Sequence, residues 1–316
     1  MSRIDKYQES ISKFVKDHSF ISTWTNIKMK KMLLDIYSKR DQFPSIIFLT
    51  ITNHLSRINK SNLPCYHGAS GIDFADIGCN ILLHRSKPSY LLLSSSLLMA
   101  TYQSFNLNFD DLGVYLNESD ILSLRKTMFD FLFSRLGPNG LLDSTYNLRS
   151  ECLDVTKADK EDLIERFPYL KSSIEKIETV TKKQWLSIVE STYGIIFESC
   201  FGCSWILGMG DKNKMDTVCD IGKKFGGLYQ ISNDFVSLID TIQTKSDIIS
   251  FNIVVTIGVQ RSYELFLSYK ESVIKKLLEE DLFSGTMKEI IDVFQDRIDD
   301  VISESEGSEI RPKENL

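Results

Sequence analysis

Residues 225–241 read Phe225-Gly226-Gly227-Leu228-Tyr229-Gln230-Ile231-Ser232-Asn233-Asp234-Phe235-Val236-Ser237-Leu238-Ile239-Asp240-Thr241. An apolar, glycine-bearing segment runs straight into Asn233, Asp234, Ser237 and Asp240. On a helix of about 3.6 residues per turn, Asn233 and Ser237 share a face and Asp240 sits about one turn further on. Oxygen-bearing side chains at that spacing make a candidate site for a hard cation or a diphosphate.

Outward from this stretch, apolar residues recur at helical spacing through most of the chain. Ile11, Phe14 and Val15, then Met32, Leu33, Ile36 and Tyr37, then Leu186, Val189, Tyr193, Ile196 and Phe197 each read as a helix face. The β-branched run 46–52 has no partner strand or hairpin turn at the expected distance, and is read as helix. Breaks fall at 60–64, 87–88, 137–140, 208–214 and 244–250, with short connections between long helices. The pattern predicts an all-α bundle around a central apolar cavity, one domain over residues 1–301 with a polar, frayed tail at 302–316.

A chain of 316 residues with 42% hydrophobic and 25% charged residues can bury a sizeable core. Its net charge of −6, without a Lys/Arg cluster, argues against a nucleic-acid partner. The first residues have no apolar stretch and carry acids, and the longest apolar run, 90–102, is too short to span a bilayer. A cytoplasmic protein without a transmembrane segment is expected. The six cysteines are then expected as free thiols, and Cys200-Phe201-Gly202-Cys203, inside an apolar helical stretch, as core packing.

Several further segments fall into a pattern. Ser38-Lys39-Arg40-Asp41-Gln42-Phe43 is followed by His67-Gly68-Ala69-Ser70, by Ala75-Asp76-Ile77-Gly78-Cys79, and by His84-Arg85-Ser86-Lys87-Pro88. Later come Ser150-Glu151-Cys152-Leu153-Asp154 and Ser191-Thr192-Tyr193-Gly194-Ile195-Ile196. In order and spacing, from Ser38 to about Val301, these resemble the trans-isoprenyl diphosphate synthases of the geranylgeranyl and farnesyl diphosphate synthase kind. Residues 225–241 resemble that family's second aspartate-rich motif, decayed to Asn233-Asp234-x-x-Ser237. The first aspartate-rich motif falls on Ala75–Cys79, where only Asp76 remains.

The resemblance implies an isoprenoid synthase-type helical bundle and chemistry on allylic diphosphates with magnesium held between two carboxylate walls. It assigns diphosphate contacts to Lys39, Arg40, His67, Arg85 and Gln230, and metal contacts to Asn233, Asp234, Ser237, Asp240 and Asp76. A rotated first wall built on Asp73, Asp76 and Asn80 is the alternative there. Ala75 and Cys79 supply no oxygen ligand, so head-to-tail elongation is expected to be impaired. Ser70 and Gly71, small where relatives carry a bulky floor, imply an open chain-length pocket closed further on by Tyr66 or Trp205.

Three functions follow from this. The first is a non-catalytic or regulatory subunit that binds a prenyl diphosphate and forms a homodimer, or a heterodimer with an active synthase. The second is an active Mg-dependent prenyltransferase or class I terpene cyclase-like enzyme with a degenerate metal site. The third is an isoprenoid-binding protein.

Overall fold

The computed structural model describes residues 2–59, 64–84, 87–144, 155–157, 160–244 and 250–307. The chain begins with α1 (Arg3–Asp17), α2 (Ile27–Tyr37), α3 (Phe43–Ile58), α4 (Tyr66–His84), α5 (Pro88–Leu112) and α6 (Glu118–Leu136). Strand β1 (Val155–Lys157), α7 (Lys160–Arg166), α8 (Lys171–Ile174), β2 (Glu178–Val180), α9 (Lys182–Ser191) and α10 (Tyr193–Leu207) follow. The last part holds α11 (Met215–Val236), α12 (Leu238–Thr244), α13 (Ile253–Ile257), α14 (Val259–Glu279) and α15 (Gly285–Gly307).

Side-chain chemistry sorts these helices into an inner and an outer set. A helix that is apolar or small on all sides has no face to offer water and goes to the middle. Every residue from Phe43 to Thr52 of α3 is buried, as is every residue from Gly68 to Cys79 of α4. In α10 only Ile195 escapes full burial. The outer helices bury one stripe: Ile4, Ile11 and Val15 in α1, and Val259, Phe266, Val273 and Leu277 among others in α14. Their starts are fixed locally, by capping boxes at Ser2 with Asp5 and Thr181 with Gln184, and by Pro44 and Pro88 in first turns.

Two glycines one turn apart let α10 and α11 touch backbone to backbone. A Cβ on Gly222 would lie 2.6 Å from the Phe197 carbonyl oxygen, and one on Gly226 would lie 2.6 Å from that of Tyr193. Above this contact the rings of Phe43, Phe197, Phe225, Tyr229 and Phe294 pack with centroids 5.1–5.8 Å apart, tying α3, α10, α11 and α15 into one core.

Gly71 shows the same economy between α4 and α5. A Cβ there would meet Ser104 Cβ at 3.1 Å, the Thr101 carbonyl oxygen at 3.2 Å and Phe105 Cδ2 at 3.4 Å, while Ser70 is fully buried. The small pair Ser70 and Gly71, expected to leave a pocket open, instead lets α5 close against α4. Overpacking this contact is expected to cost about 1–3 kcal/mol. Gly71→Leu should lower the urea midpoint accordingly, and an unchanged midpoint would mean that the helices part easily here.

The architecture is all-α apart from a two-stranded ribbon that the periodicity did not predict. There β1 pairs antiparallel with β2 in the register Val155↔Val180, Thr156↔Thr179 and Lys157↔Glu178. The run 46–52 lies within α3, as read from the sequence. The last helix continues to Gly307, six residues beyond the boundary expected at 301. Cys65, Cys79, Cys200, Cys203 and Cys219 are buried free thiols, and Cys200 Sγ donates to the Pro44 carbonyl at 3.0 Å. Cys152 lies outside the described residues. Among the described residues no helix is long and apolar enough to cross a membrane.

Candidate functional site

The turn between α2 and α3 sends successive side chains in different directions. Lys39 turns outward to Asp35, one turn back in α2, at 2.9 Å, with both side chains well exposed. Arg40 turns inward and its Nη2 lies 2.5 Å from Asp76 Oδ2. Asp41 accepts from Arg297 at 2.7 Å, and that guanidinium lies over the Phe43 ring. Gln42 closes the turn in the left-handed region (φ 57°), its amide exchanging hydrogen bonds with Ser12. A non-glycine residue seldom adopts that conformation; here it carries the chain from half-buried Arg40 into α3.

Arg40 meets the first wall at a pair of carboxylates spaced i and i+3 on α4. Asp73 Oδ2 accepts from the Tyr37 hydroxyl at 2.7 Å, and Oδ1 from the Ser45 backbone N–H at 3.1 Å. It therefore ties the end of α2 and the start of α3 to α4. Burial pushes the Asp73 carboxyl up to about 7, against the pull of those two hydrogen bonds. Asp76 is also raised, because burial outweighs the neighbouring guanidinium. Its Oδ1 is buried without a partner among the described residues. One residue-turn on, Asn80 Nδ2 donates to the Tyr193 hydroxyl of α10 at 3.4 Å.

A carboxyl raised in the folded state binds its proton more tightly there than in the unfolded chain. Between about pH 4, where an unfolded Asp titrates, and pH 7 the folded state then holds more protons, so stability falls as pH rises. Asp73→Asn is expected to flatten that slope in unfolding free energies measured from pH 4 to 7. A slope unchanged by the substitution would place its origin elsewhere.

The second wall is held as firmly. Asp234 Oδ2 accepts from Trp185 Nε1 at 3.0 Å and from the Ile253 backbone N–H at 2.8 Å, and Oδ1 from Gln230 Nε2 at 2.7 Å. This carboxylate joins α9, α11 and the start of α13. Asn233 stands one turn after Tyr229, whose buried ring lies between Tyr193 and Phe294. Ser237 follows Asn233 by one turn, its backbone N–H donating to the Asn233 carbonyl at 2.9 Å. Helix α11 stops at Val236, Ser237 is its exposed C-cap and receives Asn252 Nδ2 at 3.4 Å, and Asp240 is exposed in the first turn of the separate helix α12.

The expected diphosphate contacts are not drawn to one point. His67 packs edge-on against Phe14, 4.8 Å between centroids, with Nε2 3.8 Å from Asp111; burial lowers its pKa, only partly opposed by Asp111. Lys39 is outside with Asp35, Arg40 is inside with Asp76, and Gln230 is committed to Asp234. Arg85 lies outside the described residues. What converges between the walls is Arg40, Asp76, Asn80, Tyr193, Tyr229 and Asn233, with Asn80 and Asn233 half-buried. Sequence reading missed both tyrosines, although Tyr229 stands one turn before Asn233. It also missed Trp185, for which no local signal exists.

A magnesium ion needs several anionic oxygens free to converge on it. Here Asp73 and Asp234 are occupied by neutral donors and Asp76 by a guanidinium. Among the described residues no three His, Cys, Asp or Glu side chains lie close enough to hold a metal. Ala75 and Cys79, both buried, add no oxygen. Among the described residues, those present do not fit a magnesium site.

No protein-family model matches the sequence, and no curated protein does either. Solved structures do. The chain superposes on a geranyltransferase from Helicobacter pylori complexed with magnesium and isoprenyl diphosphate, at a TM-score of 0.60 and 14% identity over 96% of this chain and 97% of that one. A geranyltransferase from Legionella pneumophila gives 0.60 and 14% over 94% and 96%. A geranyltranstransferase from Thermotoga maritima gives 0.55 and 16% over 96% and 100%. The chain has the trans-isoprenyl diphosphate synthase-like fold. At such identities the likeness concerns the fold alone, and α4 and α11 are the elements of this isoprenyl synthase-like fold that carry Asp76 and Asp234.

Proposed function

We propose that this protein is a non-elongating member of the isoprenyl diphosphate synthase fold, which binds a prenyl diphosphate without extending it and works as a regulatory or structural subunit of a dimer. The observation that carries the reading is the Arg40–Asp76 pair. The first wall keeps its carboxylate, yet that carboxylate is spent on an internal cation. The unpartnered Asp76 Oδ1 calls for a hydrogen-bond donor, so the diphosphate seats toward Asn80, Tyr193 and Asn233 rather than against Asp76. Support for a partner comes from exposed apolar side chains on adjacent helices, Leu92 and Met99 on α5 and Leu122 and Phe133 on α6.

Losing one electrostatic contact to a developing charge costs about 10²–10³ in rate. Two absent metal ligands place elongation several orders of magnitude below ordinary turnover. Labelled farnesyl diphosphate with isopentenyl diphosphate and magnesium is expected to give binding in calorimetry and no longer product on chromatography. Product at rates of about 1 s⁻¹ or above, within the ordinary range of enzymes, would establish the alternative of an active prenyltransferase. Absence of binding would end the ligand part of the proposal.

A further inference from the structure

A cavity lies apart from the two walls. Its volume is about 510 Å³, and it is lined by Leu116, Leu124 and Phe131 on the α6 side, by Trp205, Ile206 and Met209 at the end of α10, and by Met215 at the start of α11. Of the residues expected at the site, only Trp205, a candidate closure of the chain-length pocket, lines it. The size falls within the range of small-molecule sites. At about 30 Å³ per non-hydrogen group, the volume of a water molecule in the liquid, it holds roughly 17 such groups.

The walls are built with some care. A Cβ on Gly202 would lie 2.3 Å from Phe131 Cζ, so the glycine of Cys200-Phe201-Gly202-Cys203 is what admits that ring. A Cβ on Gly210 would lie 2.2 Å from Trp205, whose Nε1 donates to the Asp211 carbonyl at 2.9 Å. The indole is thereby fixed with its polar atom satisfied by the protein. Between Gly208 and Gly210 stands Met209, in the left-handed region (φ 55°) and 40% exposed at the mouth. Glycine or Asn is the usual occupant of such a backbone position. The chain has a glycine on either side and still places a flexible thioether there. There it ends α10, the Gly210 backbone N–H turning back to the Trp205 carbonyl at 2.9 Å, and methionine adapts its shape to apolar guests.

The rim supplies a charge. Lys212 is exposed and has no ion pair among the described residues, whereas Lys214 nearby is held by Glu280 at 2.7 Å. Across the mouth Asp120 receives the Asn117 amide at 2.6 Å, and Ser123 and Thr127 offer hydroxyls.

We infer that this pocket binds an amphiphile with one aliphatic chain and an anionic head, the chain lying between Phe131, Trp205 and the two methionines and the head meeting Lys212. A carboxylate and a phosphate monoester share that chemistry. The test titrates the full-length protein with tetradecanoate, dodecyl phosphate and tetradecanol below their aggregation concentrations, by calorimetry and by methyl NMR of labelled methionine. Saturable binding of one or both anions is expected, with shifts at the Met209 and Met215 methyls, and whichever anion binds more tightly identifies the head. The neutral alcohol should bind at least about tenfold more weakly. Lys212→Glu should remove that preference. Thr127→Trp, or Ser123→Trp should the first fold poorly, plugs the mouth from an exposed position and should abolish binding with an unchanged unfolding midpoint. No saturable binding, shifts confined to other methionines, equal affinity for the alcohol, or full affinity in the plugged variants would each overturn the inference.

Discussion

Arg40→Met is expected to lower the unfolding free energy by about 3–5 kcal/mol at neutral pH, the usual cost of stranding one charge of a buried pair. Asp76 is 5% exposed in its side chain and has no other cation at hand among its described contacts. Its carboxyl already stands above the ordinary value because burial outweighs Arg40, and loss of the guanidinium raises it further. The folded variant then holds a proton that the unfolded chain releases above about pH 4. Stability of the variant therefore falls as pH rises through that window, and the loss relative to the parent is smaller at pH 4 than at pH 7. Removing both charges, as Arg40→Met with Asp76→Leu, should recover most of the loss, since an apolar pair of similar volume is often as stable as a buried ion pair. Urea unfolding at the two pH values measures all three. If Arg40→Met proves as stable as the parent, the pair is open to solvent, Asp76 is available to a ligand, and the case for a non-elongating protein weakens.

The bundle was legible because helical periodicity is a local property, repeated in α1, α2, α9 and α10. The sequence singled out Asp76 and Asp234 through the resemblance of their segments to two aspartate-rich motifs. It did not reveal the partners that engage those acids. Arg40 and Asp76 are 36 residues apart, and Trp185 and Asp234 are 49 apart. Such pairings depend on tertiary approach, and in the first case on the left-handed turn at Gln42. The break at Ser237 was hidden for a related reason. Residues 233–240 are helical on both sides of it, and the stop depends on Asn252, which arrives from the start of α13 and donates to both the Asp234 carbonyl and Ser237. Ser70 and Gly71 misled in the opposite sense, because small residues serve close helix packing as readily as they open a tunnel.

Asp234 separates a structural acid from a catalytic one. Its carboxylate receives the Trp185 indole, the Gln230 amide and the Ile253 backbone N–H, and it joins three helices in doing so. Hydrogen bonds to a charged group contribute about 1.5–3 kcal/mol each, and a buried donor left without an acceptor costs about 1–3 kcal/mol. These terms are not additive, but Asp234→Ala should lose at least about 3 kcal/mol. Asp234→Asn should lose less, because its single carbonyl oxygen can still serve one or two of the three donors. Asn233→Ala, by contrast, removes a half-buried amide one turn from Tyr229 at the edge of the site. It should leave the unfolding midpoint nearly unchanged while weakening prenyl diphosphate binding. The decisive comparison is between the two neighbours, with stability followed by urea unfolding and affinity by calorimetry on the folded fraction. An Asp234→Ala protein of parental stability that has lost magnesium-dependent affinity would show that this acid holds a metal after all, and would move the chain from the non-elongating reading to the catalytic one.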